Sequence, residues 1–233
     1  MRSRILAEIL YKSRNAIVIY KPQGVPSQPD PSGDPDALSL AAEKLRRLGE
    51  RDALFPIHRL DRNVAGLLVI GRTRSAAAEF SSLASGEGMG KEYLAVIEGE
   101  GGSGILEDHL IKNSAIGKAE IGSSSDKRAK LARLEYKTLS VSTTELGTRS
   151  LLLVKLHTGR FHQIRAQLSS RGMPIVGDKK YGSLDRLCRM PALFSYKLDI
   201  SISGEHILAE RLPELSEYPW NLFGEELYPK INN

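Results

Sequence analysis

The chain has 233 residues, of which 41% are hydrophobic and 26% are charged, a composition that suits a soluble globular protein. Its formal net charge of +5 fits a polyanionic partner without requiring one. Cys188 is the single cysteine, which excludes an intrachain disulfide, and the N-terminal residues offer neither a signal-peptide core nor a membrane span, so we expect a cytoplasmic protein.

The first predicted strand leads into a rigid loop and then a helix. Ala16–Tyr20 is a short apolar run rich in β-branched residues, which is typical of a buried strand. Five prolines between Pro22 and Pro35 indicate turns and extended backbone rather than helix. Asp36 is a suitable N-cap for a helix over residues 37–48, and Gly49 is a suitable end for it.

Further strands and a second helix are predicted before a less regular segment. Gly66–Gly71 is apolar and predicts a buried strand, after which Thr73 can cap a helix that runs to Ser85. Lys91–Gly99 is the next predicted strand. Residues 100–130 are rich in Gly, Ser and Lys, so we expect mobile, solvent-facing connections between short strands there.

The remaining elements favour an α+β fold. Leu131–Val141 and Ser150–Leu156 are predicted to pair as strands, and Phe161–Arg171 is predicted to be helical. Strands dominate, and the helices follow no regular βαβ rhythm. This pattern predicts a mixed or largely antiparallel central sheet with flanking helices and loops, in a single domain over residues 1–233.

Two segments concentrate residues that can carry chemistry. His58–Asp61 (HRLD) places a carboxylate beside potential cations; such an acid can act as a nucleophile or base, although an isolated Asp is more often a helix cap or a surface acid. His157–Arg165 turns at Gly159 and opens a helix, so its N–H groups and arginines could hold a phosphate or a carboxylate. Spacing alone also leaves open an acid–base pair formed by His58 and His162, although lone histidines are more often structural.

Charge is unevenly distributed, and several common signatures are missing. Leu151–Met190 carries a local charge of +6, whereas Asp199–Asn233 sums to −5. A localised basic surface suits phosphate binding, although charge alone is equally consistent with an ordinary solvated face. The sequence has no GxxxxGK[ST] loop, CxxC pair or HExxH motif, so we predict no metal site.

Five segments of the chain form an ordered set of motifs. They are Lys21–Gly24 (KPQG), His58–Val69 (HRLDRNVAGLLV), Lys91–Ala95 (KEYLA), Thr158–Arg165 (TGRFHQIR) and Gly172–Gly182 (GMPIVGDKKYG). In this order they resemble the motifs of the RluA-type pseudouridine synthases, and the likeness spans roughly residues 9–182. Val64 and Phe161 stand where this family usually has Thr, and Ala166-Gln167 where it usually has Val-His.

The resemblance implies the pseudouridine synthase fold and an enzyme that isomerises specific uridines in structured RNA, rRNA or tRNA, without a cofactor. It implies that Asp61 is the catalytic carboxylate, that Arg165 is its ion-pair partner, and that Tyr93 stacks on the flipped uracil. Arg59 resembles the position that fills the gap left by the flipped nucleotide or contacts its backbone. The other candidate residues, expected to bind RNA or to support the site, are Lys21, His58, Arg160, His162 and Gln163.

The resemblance also bears on partners and leaves alternatives open. We expect a monomer that binds structured RNA, with no membrane association, no obligatory protein partner and no S4 domain, because the first motif begins at Lys21. Asp178 and Tyr181 are expected to fix a turn under the site. Two alternatives are a relative that binds RNA without turnover and a metal-free ribonuclease that uses the two histidines named above.

Overall fold

The computed structural model describes residues 7–85, 88–202 and 204–224. This part of the chain contains eleven strands and three α-helices. None of its helices combines the length and the apolar composition needed to cross a lipid bilayer. The helices are α1 (Ala37–Arg47), α2 (Arg74–Ser85) and α3 (Gln163–Ser169). The strands are β1 (Glu8–Lys12), β2 (Ala16–Lys21), β3 (Phe55–Pro56), β4 (Ala65–Gly71), β5 (Met89–Glu98), β6 (Ser103–Asn113), β7 (Lys118–Gly122), β8 (Lys130–Thr144), β9 (Gly147–Leu156), β10 (Leu193–Ile202) and β11 (Glu205–Glu210).

The described chain forms two compact units. The first unit contains the residues up to Met89 together with Lys197–Arg211. The second contains Gly90–Tyr196 and the residues from Leu212 onwards. The chain therefore returns to the first unit within β10. The single catalytic domain expected over residues 1–233 stays a prediction.

In the first unit, antiparallel strands pack against α2. β2 pairs with β1 on one side and with β4 on the other, and the last residue of β2, Lys21, lies opposite Gly66 near the start of β4. Val18 and Val69 pack with Phe80 of α2 in a core that also takes residues from β10 and β11. The register therefore brings the loop after β2 beside the loop that precedes β4.

The two helices of the first unit begin where capping residues predict them. The Asp36 carboxylate accepts a hydrogen bond from the Ser39 N–H at 3.0 Å, and Gly49, with φ +72°, follows the end of α1. The Thr73 hydroxyl accepts from the Ala76 N–H at 3.1 Å in the first turn of α2. Both helices are confirmed with bounds close to the predicted ones.

The second unit is built on an antiparallel meander. β5 pairs with β9, β9 with β8, β8 with β6, and β6 with β7, all antiparallel. Helix α3 packs on β6 and β7 through Ala166, Leu110 and Ala119. Antiparallel pairing with few helices confirms the predicted α+β class.

Residues 100–130 differ from the prediction of mobile connections between short strands. β6 spans eleven residues there, and β7 forms a hairpin with it. Only Leu106 and Leu110 of β6 are buried, so the apolar alternation that marks a strand is weak. Eight residue pairs with β8 supply the ladder that local sequence does not signal, because strand formation depends on neighbouring strands more than on intrinsic preference.

Helix α3 is shorter than the predicted Phe161–Arg171. Its N-cap, His162, has left-handed backbone angles of φ 51° and ψ 27°, which no residue inside a right-handed helix can adopt. The helix therefore starts at Gln163 and ends at Ser169.

Candidate functional site

The nine candidate residues divide between the two units. Lys21, His58, Arg59 and Asp61 lie in the first unit. Tyr93, Arg160, His162, Gln163 and Arg165 lie in the second.

Asp61 lies in a turn that is anchored on both sides. Its carbonyl accepts from the Val64 N–H at 3.0 Å, and the buried side chains of Leu60 and Val64 fix the two ends of the turn. Ser27 bridges to this turn, because its hydroxyl accepts from the Leu60 N–H at 3.0 Å and donates to the Leu60 carbonyl at 2.8 Å. Asp61 is half-buried on this braced turn. The backbone at Asp61 is therefore fixed by its neighbours on both sides.

The ammonium of Lys21 joins the loop after β2 to the Asp61 turn. It is fully buried and donates to the carbonyls of Pro22 at 3.1 Å, Val25 at 2.8 Å and Arg62 at 3.2 Å. Burial lowers the pKa of Lys21 to about 7. The negative charge of Asp61 raises this pKa in part, and the positive charge of Arg62 lowers it slightly. Of the two roles expected for Lys21, phosphate binding and loop bracing, these contacts support bracing.

Arg62 is a bracing residue that the sequence did not single out. Its Nε donates to the Gly24 carbonyl at 2.9 Å, its Nη1 to the Ser32 hydroxyl at 3.1 Å, and its Nη2 to the Asp34 carboxylate. The hydrogen bond from Arg62 is the largest of the effects that lower the pKa of Asp34. Arg62 thus holds the proline-rich loop against the Asp61 turn, and its position directly after the HRLD motif was the available signal.

The other two candidates of the first unit differ in exposure. His58 is half-buried, and its Nε2 accepts the backbone N–H of Val69 in β4 at 3.2 Å. This contact is of the supporting kind expected for His58. Arg59 is exposed, as a residue that reaches a ligand in solution would be.

In the second unit, Arg165 forms a buried, bidentate ion pair with Asp178. The guanidinium is 5% exposed; its Nε lies 2.6 Å from Asp178 Oδ2 and its Nη2 lies 2.8 Å from Oδ1. The Arg165 guanidinium also lies 4.9 Å from the centre of the Tyr181 ring. Asp178, which was expected to fix a turn, is the N-cap residue of the short 3-10 turn Lys179–Tyr181. Its side chain forms no capping hydrogen bond there and instead orients Arg165. The expected ion pair between Arg165 and Asp61 stays a prediction.

His162 and Tyr181 tie the start of α3 to β7. The His162 ring stacks on Phe161 with 3.8 Å between ring centres, and its Nδ1 is 2.9 Å from the Tyr181 hydroxyl. The same hydroxyl accepts from the Ala119 N–H at 2.7 Å. These contacts hold the left-handed backbone of His162 in place.

Gln163 and Arg160 fix the loop before α3. The Gln163 side-chain oxygen accepts from the Thr158 hydroxyl at 2.8 Å and the Arg160 N–H at 3.0 Å, while its nitrogen donates to the Arg133 carbonyl at 3.1 Å. The Nε of Arg160 donates to the Leu131 carbonyl at 2.8 Å. Gln163 is therefore a support of this loop, one of the two roles expected for it.

Tyr93 and Lys91 lie on β5 and are both buried. Tyr93 is 6% exposed and pairs with Val154 of β9. Burial lowers the pKa of Lys91, and the charge of Arg160 lowers it further. Lys91 was not among the candidates, although it opens the KEYLA motif.

In the described ranges, no three His, Cys, Asp or Glu side chains are grouped so that they could hold a metal ion.

Comparison with known proteins decides the family. Residues 15–170 match the family model described as RNA pseudouridylate synthase. The chain belongs to this family. The match covers the Lys21 loop, the Asp61 turn, β5 and α3, which are the segments that carry the candidate residues.

Curated relatives and solved structures agree with this family. A ribosomal large subunit pseudouridine synthase D of Borreliella burgdorferi is 31% identical over 86% of this chain and 63% of its own length. RNA pseudouridine synthase 7 of Arabidopsis thaliana is 34% identical over 74% of this chain and 44% of its own length. The chain thus spans less than two thirds of these relatives. The structure of human RNA pseudouridylate synthase domain containing 1 covers 94% of this chain and 88% of its own, with a TM-score of 0.77 and 22% identity, and shows that the predicted pseudouridine synthase fold is present.

Proposed function

We propose that this protein is an RNA pseudouridine synthase that isomerises uridines in structured RNA, and that Asp61 is its catalytic carboxylate. The observation that carries the proposal is the position of Asp61 within the family match, on a turn braced by Ser27 and by buried leucine and valine side chains. The names of the bacterial relatives favour ribosomal RNA over transfer RNA as the substrate.

The reaction breaks the bond between ribose C1′ and uracil N1 and forms a bond between C1′ and C5. The C5 proton is lost and N1 gains a proton, so the reaction is an isomerisation and needs no redox partner. An ionised carboxylate is a sufficient tool, either as a nucleophile at C1′ or at the uracil ring or as a base at the ribose. Asp61 is proposed to supply it.

Charge and stacking complete the proposed site. Arg165, oriented by Asp178, is proposed to pair with Asp61 and to hold its carboxylate ionised. A uridine inside a helix is out of reach, so the base must be flipped out, and Tyr93 is proposed to stack on it. Such stacking contributes about 1–3 kcal/mol per base. Arg59, which is exposed, is proposed to occupy the gap or to contact the backbone.

The ribonuclease alternative is less well supported by the histidine contacts. His58 Nε2 accepts a backbone N–H, which occupies the lone pair that a general base needs, and His162 Nδ1 is engaged with Tyr181. Intact RNA after incubation, judged on a denaturing gel, would exclude this alternative, whereas chain cleavage would favour it.

The test of the proposal is tritium release from ribosomal RNA labelled at uracil C5, without added metal. We expect release by the parent protein and none by Asp61→Asn, which keeps the shape of the side chain but removes its charge. Binding of the RNA by Asp61→Asn should be largely retained. Release by the variant at the parent rate would remove Asp61 from this role.

The matched control is Asp52→Asn, which changes an acid that pairs with Arg46 on the surface of the same unit. We expect it to release tritium at the parent rate. A parent protein that releases no tritium from ribosomal or transfer RNA, yet binds either, would instead favour the relative without turnover.

A further inference from the structure

A cleft of about 230 Å³ in the second unit is lined by four basic side chains and one aromatic ring. Lys112 comes from β6, Arg128 from the turn before β8, and Lys130 from the first position of β8. Arg160 and Phe161 come from the loop before α3. We refer to these five residues as the basic cleft. Its lining is completed by Leu110, Ala119 and Gly159.

Neither of the two lysines of the basic cleft lies opposite an acidic residue on the neighbouring strand. Lys112 lies opposite Ala119 of β7, and Lys130 lies opposite Leu110 of β6. Residues directly opposite one another in an antiparallel pair point to the same face, so both lysines share one face of the sheet with apolar partners. Both are exposed, and neither forms an ion pair within the described residues.

Two acids close in sequence to the residues of the basic cleft are already paired. Asp108, on the same face of β6 as Lys112, binds both Nη groups of Arg171 at 2.8 Å. Asp126 binds the guanidinium of Arg128 at 2.6 Å and so neutralises that arginine. The positive charge of the basic cleft therefore comes from Lys112, Lys130 and Arg160.

Two of these cations are held in place before any ligand binds. The Lys112 ammonium lies 5.0 Å from the centre of the Phe161 ring. This ring also stacks on His162, as described above, and packs against the apolar cluster under α3. Arg160 is anchored through Nε, and its Nη groups form no hydrogen bond within the described part of the chain. Ordered donors around a small cleft lower the entropy lost on binding an anion.

We propose that the basic cleft binds a backbone phosphate of the RNA. The inference rests on the proposed function for the source of the phosphate. Two unpaired ammonium groups and a guanidinium match the charge and the hydrogen-bond acceptors of a phosphodiester.

The test measures binding of a fluorescein-labelled oligouridylate of about 12 nucleotides by anisotropy, over a range of about 50 to 200 mM salt. Each phosphate contact contributes a slope of about 0.7 to the dependence of log Kd on log salt for single strands. The double variant Lys112→Gln, Lys130→Gln should bind about tenfold more weakly at the lowest salt, with a slope smaller by about 0.7 to 1.4.

The matched control is the double variant Lys137→Gln, Lys155→Gln. It removes the same charge from exposed positions of β8 and β9, on the opposite face of the same sheet. We expect parent-like affinity and slope for this control. Equal effects of the two double variants would overturn the proposal, because net charge alone would then account for binding.

Phe161→Leu tests the placement of Lys112. Loss of the ring should weaken binding about two- to fivefold in the parent background. In a Lys112→Gln background the same change should have no further effect. An equal loss in both backgrounds would show that Phe161 does not act through Lys112.

Two further measurements separate the possible failures. Inorganic pyrophosphate is expected to compete only weakly with the oligouridylate; full competition at submillimolar concentration would overturn the RNA assignment in favour of a free phosphate ligand. Tritium release by the parent protein tests the proposed function independently. If the parent protein releases no tritium, the proposed function is wrong. If the double variant Lys112→Gln, Lys130→Gln keeps the parent's dependence of log Kd on log salt, the phosphate site is wrong.

Discussion

Each unit of the molecule buries a cation among its candidate residues, Lys21 in the first and Arg165 in the second, and these two cations are stabilised differently. Lys21 in the first unit is surrounded by three neutral carbonyls, whereas Arg165 in the second is clamped by the carboxylate of Asp178. Carbonyl dipoles offset only part of the desolvation of an ammonium, so the pKa of Lys21 falls to about 7. Arg165 carries its charge at every physiological pH. The first unit thus holds a cation that titrates near neutrality, and the second holds a permanent one.

Removing the carboxylate partner should produce the largest effect. Asp178→Asn keeps the size of the side chain but leaves the buried Arg165 guanidinium without a counter-charge. We expect the free energy of unfolding to fall by about 3–5 kcal/mol, the usual cost of breaking a buried ion pair. Urea unfolding followed by circular dichroism measures it.

The control for this comparison is Asp126→Asn, which breaks an exposed ion pair in the same unit. We expect no resolvable change in its urea midpoint. A midpoint for Asp178→Asn as close to the parent as that of the control would show that the Arg165 pair does not stabilise the fold.

The second prediction concerns the pH dependence that only a titrating cation can give. The folded-state pKa of Lys21, about 7, lies below its ordinary value of 10.5, so the unfolded chain binds more protons between these values. Raising the pH through this window therefore stabilises the parent protein. The free energy of unfolding of the parent, relative to that of Lys21→Met, should rise by up to about 1.4 kcal/mol per pH unit.

Urea unfolding of the parent protein and of Lys21→Met at pH 7, 8 and 9 measures this difference. Arg165→Met should instead lose stability by the same amount at each pH, because a guanidinium does not titrate there. A difference between parent and Lys21→Met that does not grow with pH would contradict the assigned state of Lys21.

The smallest predicted effect belongs to Lys91, which is a buried lysine in the unit of Arg165. Its pKa is lowered by burial and by Arg160, so its stability effect has the same sign as that of Lys21. The pKa shift of Lys91 is smaller than that of Lys21. The difference in unfolding free energy between the parent and Lys91→Met should therefore begin to grow at a higher pH and stay below the difference for Lys21→Met. Unfolding midpoints at pH 8, 9 and 10 test this order, and a larger slope for Lys91 would reverse it.

The sequence predicted those helices and strands whose ends or burial are marked by their own residues. Asp36 and Gly49 bracket α1, and the apolar run of β4 is buried along its whole length. β6 was expected only as short strands with mobile connections, because its partners in β8 lie 20 to 34 residues away and such long-range pairing leaves no local mark. His162 was placed inside a helix because its left-handed backbone depends on contacts with Tyr181, which the local sequence does not reveal.

The candidate site was predictable as a set of residue types but not as a set of contacts. The motif resemblance identified Arg165 and Asp178, yet their pairing follows from the 3-10 turn that places the carboxylate against α3. Lys21 was identified too, but its partners are backbone carbonyls, which carry no signature of their own. Arg62 was overlooked for the same reason, since one of its anchors is the Gly24 carbonyl.

The return of the chain within β10 has a consequence for biosynthesis. The apolar core of the first unit includes Leu198, Ile200 and Ile207, which leave the ribosome only after the whole of β5 to β9. The nascent polypeptide therefore exposes Val18, Val69 and their neighbours until the later strands arrive, while the meander between them can already pair. A stop codon placed before Lys197 would leave the amino-terminal segment without two of its strands, so truncated translation products should be targets for chaperones and proteases.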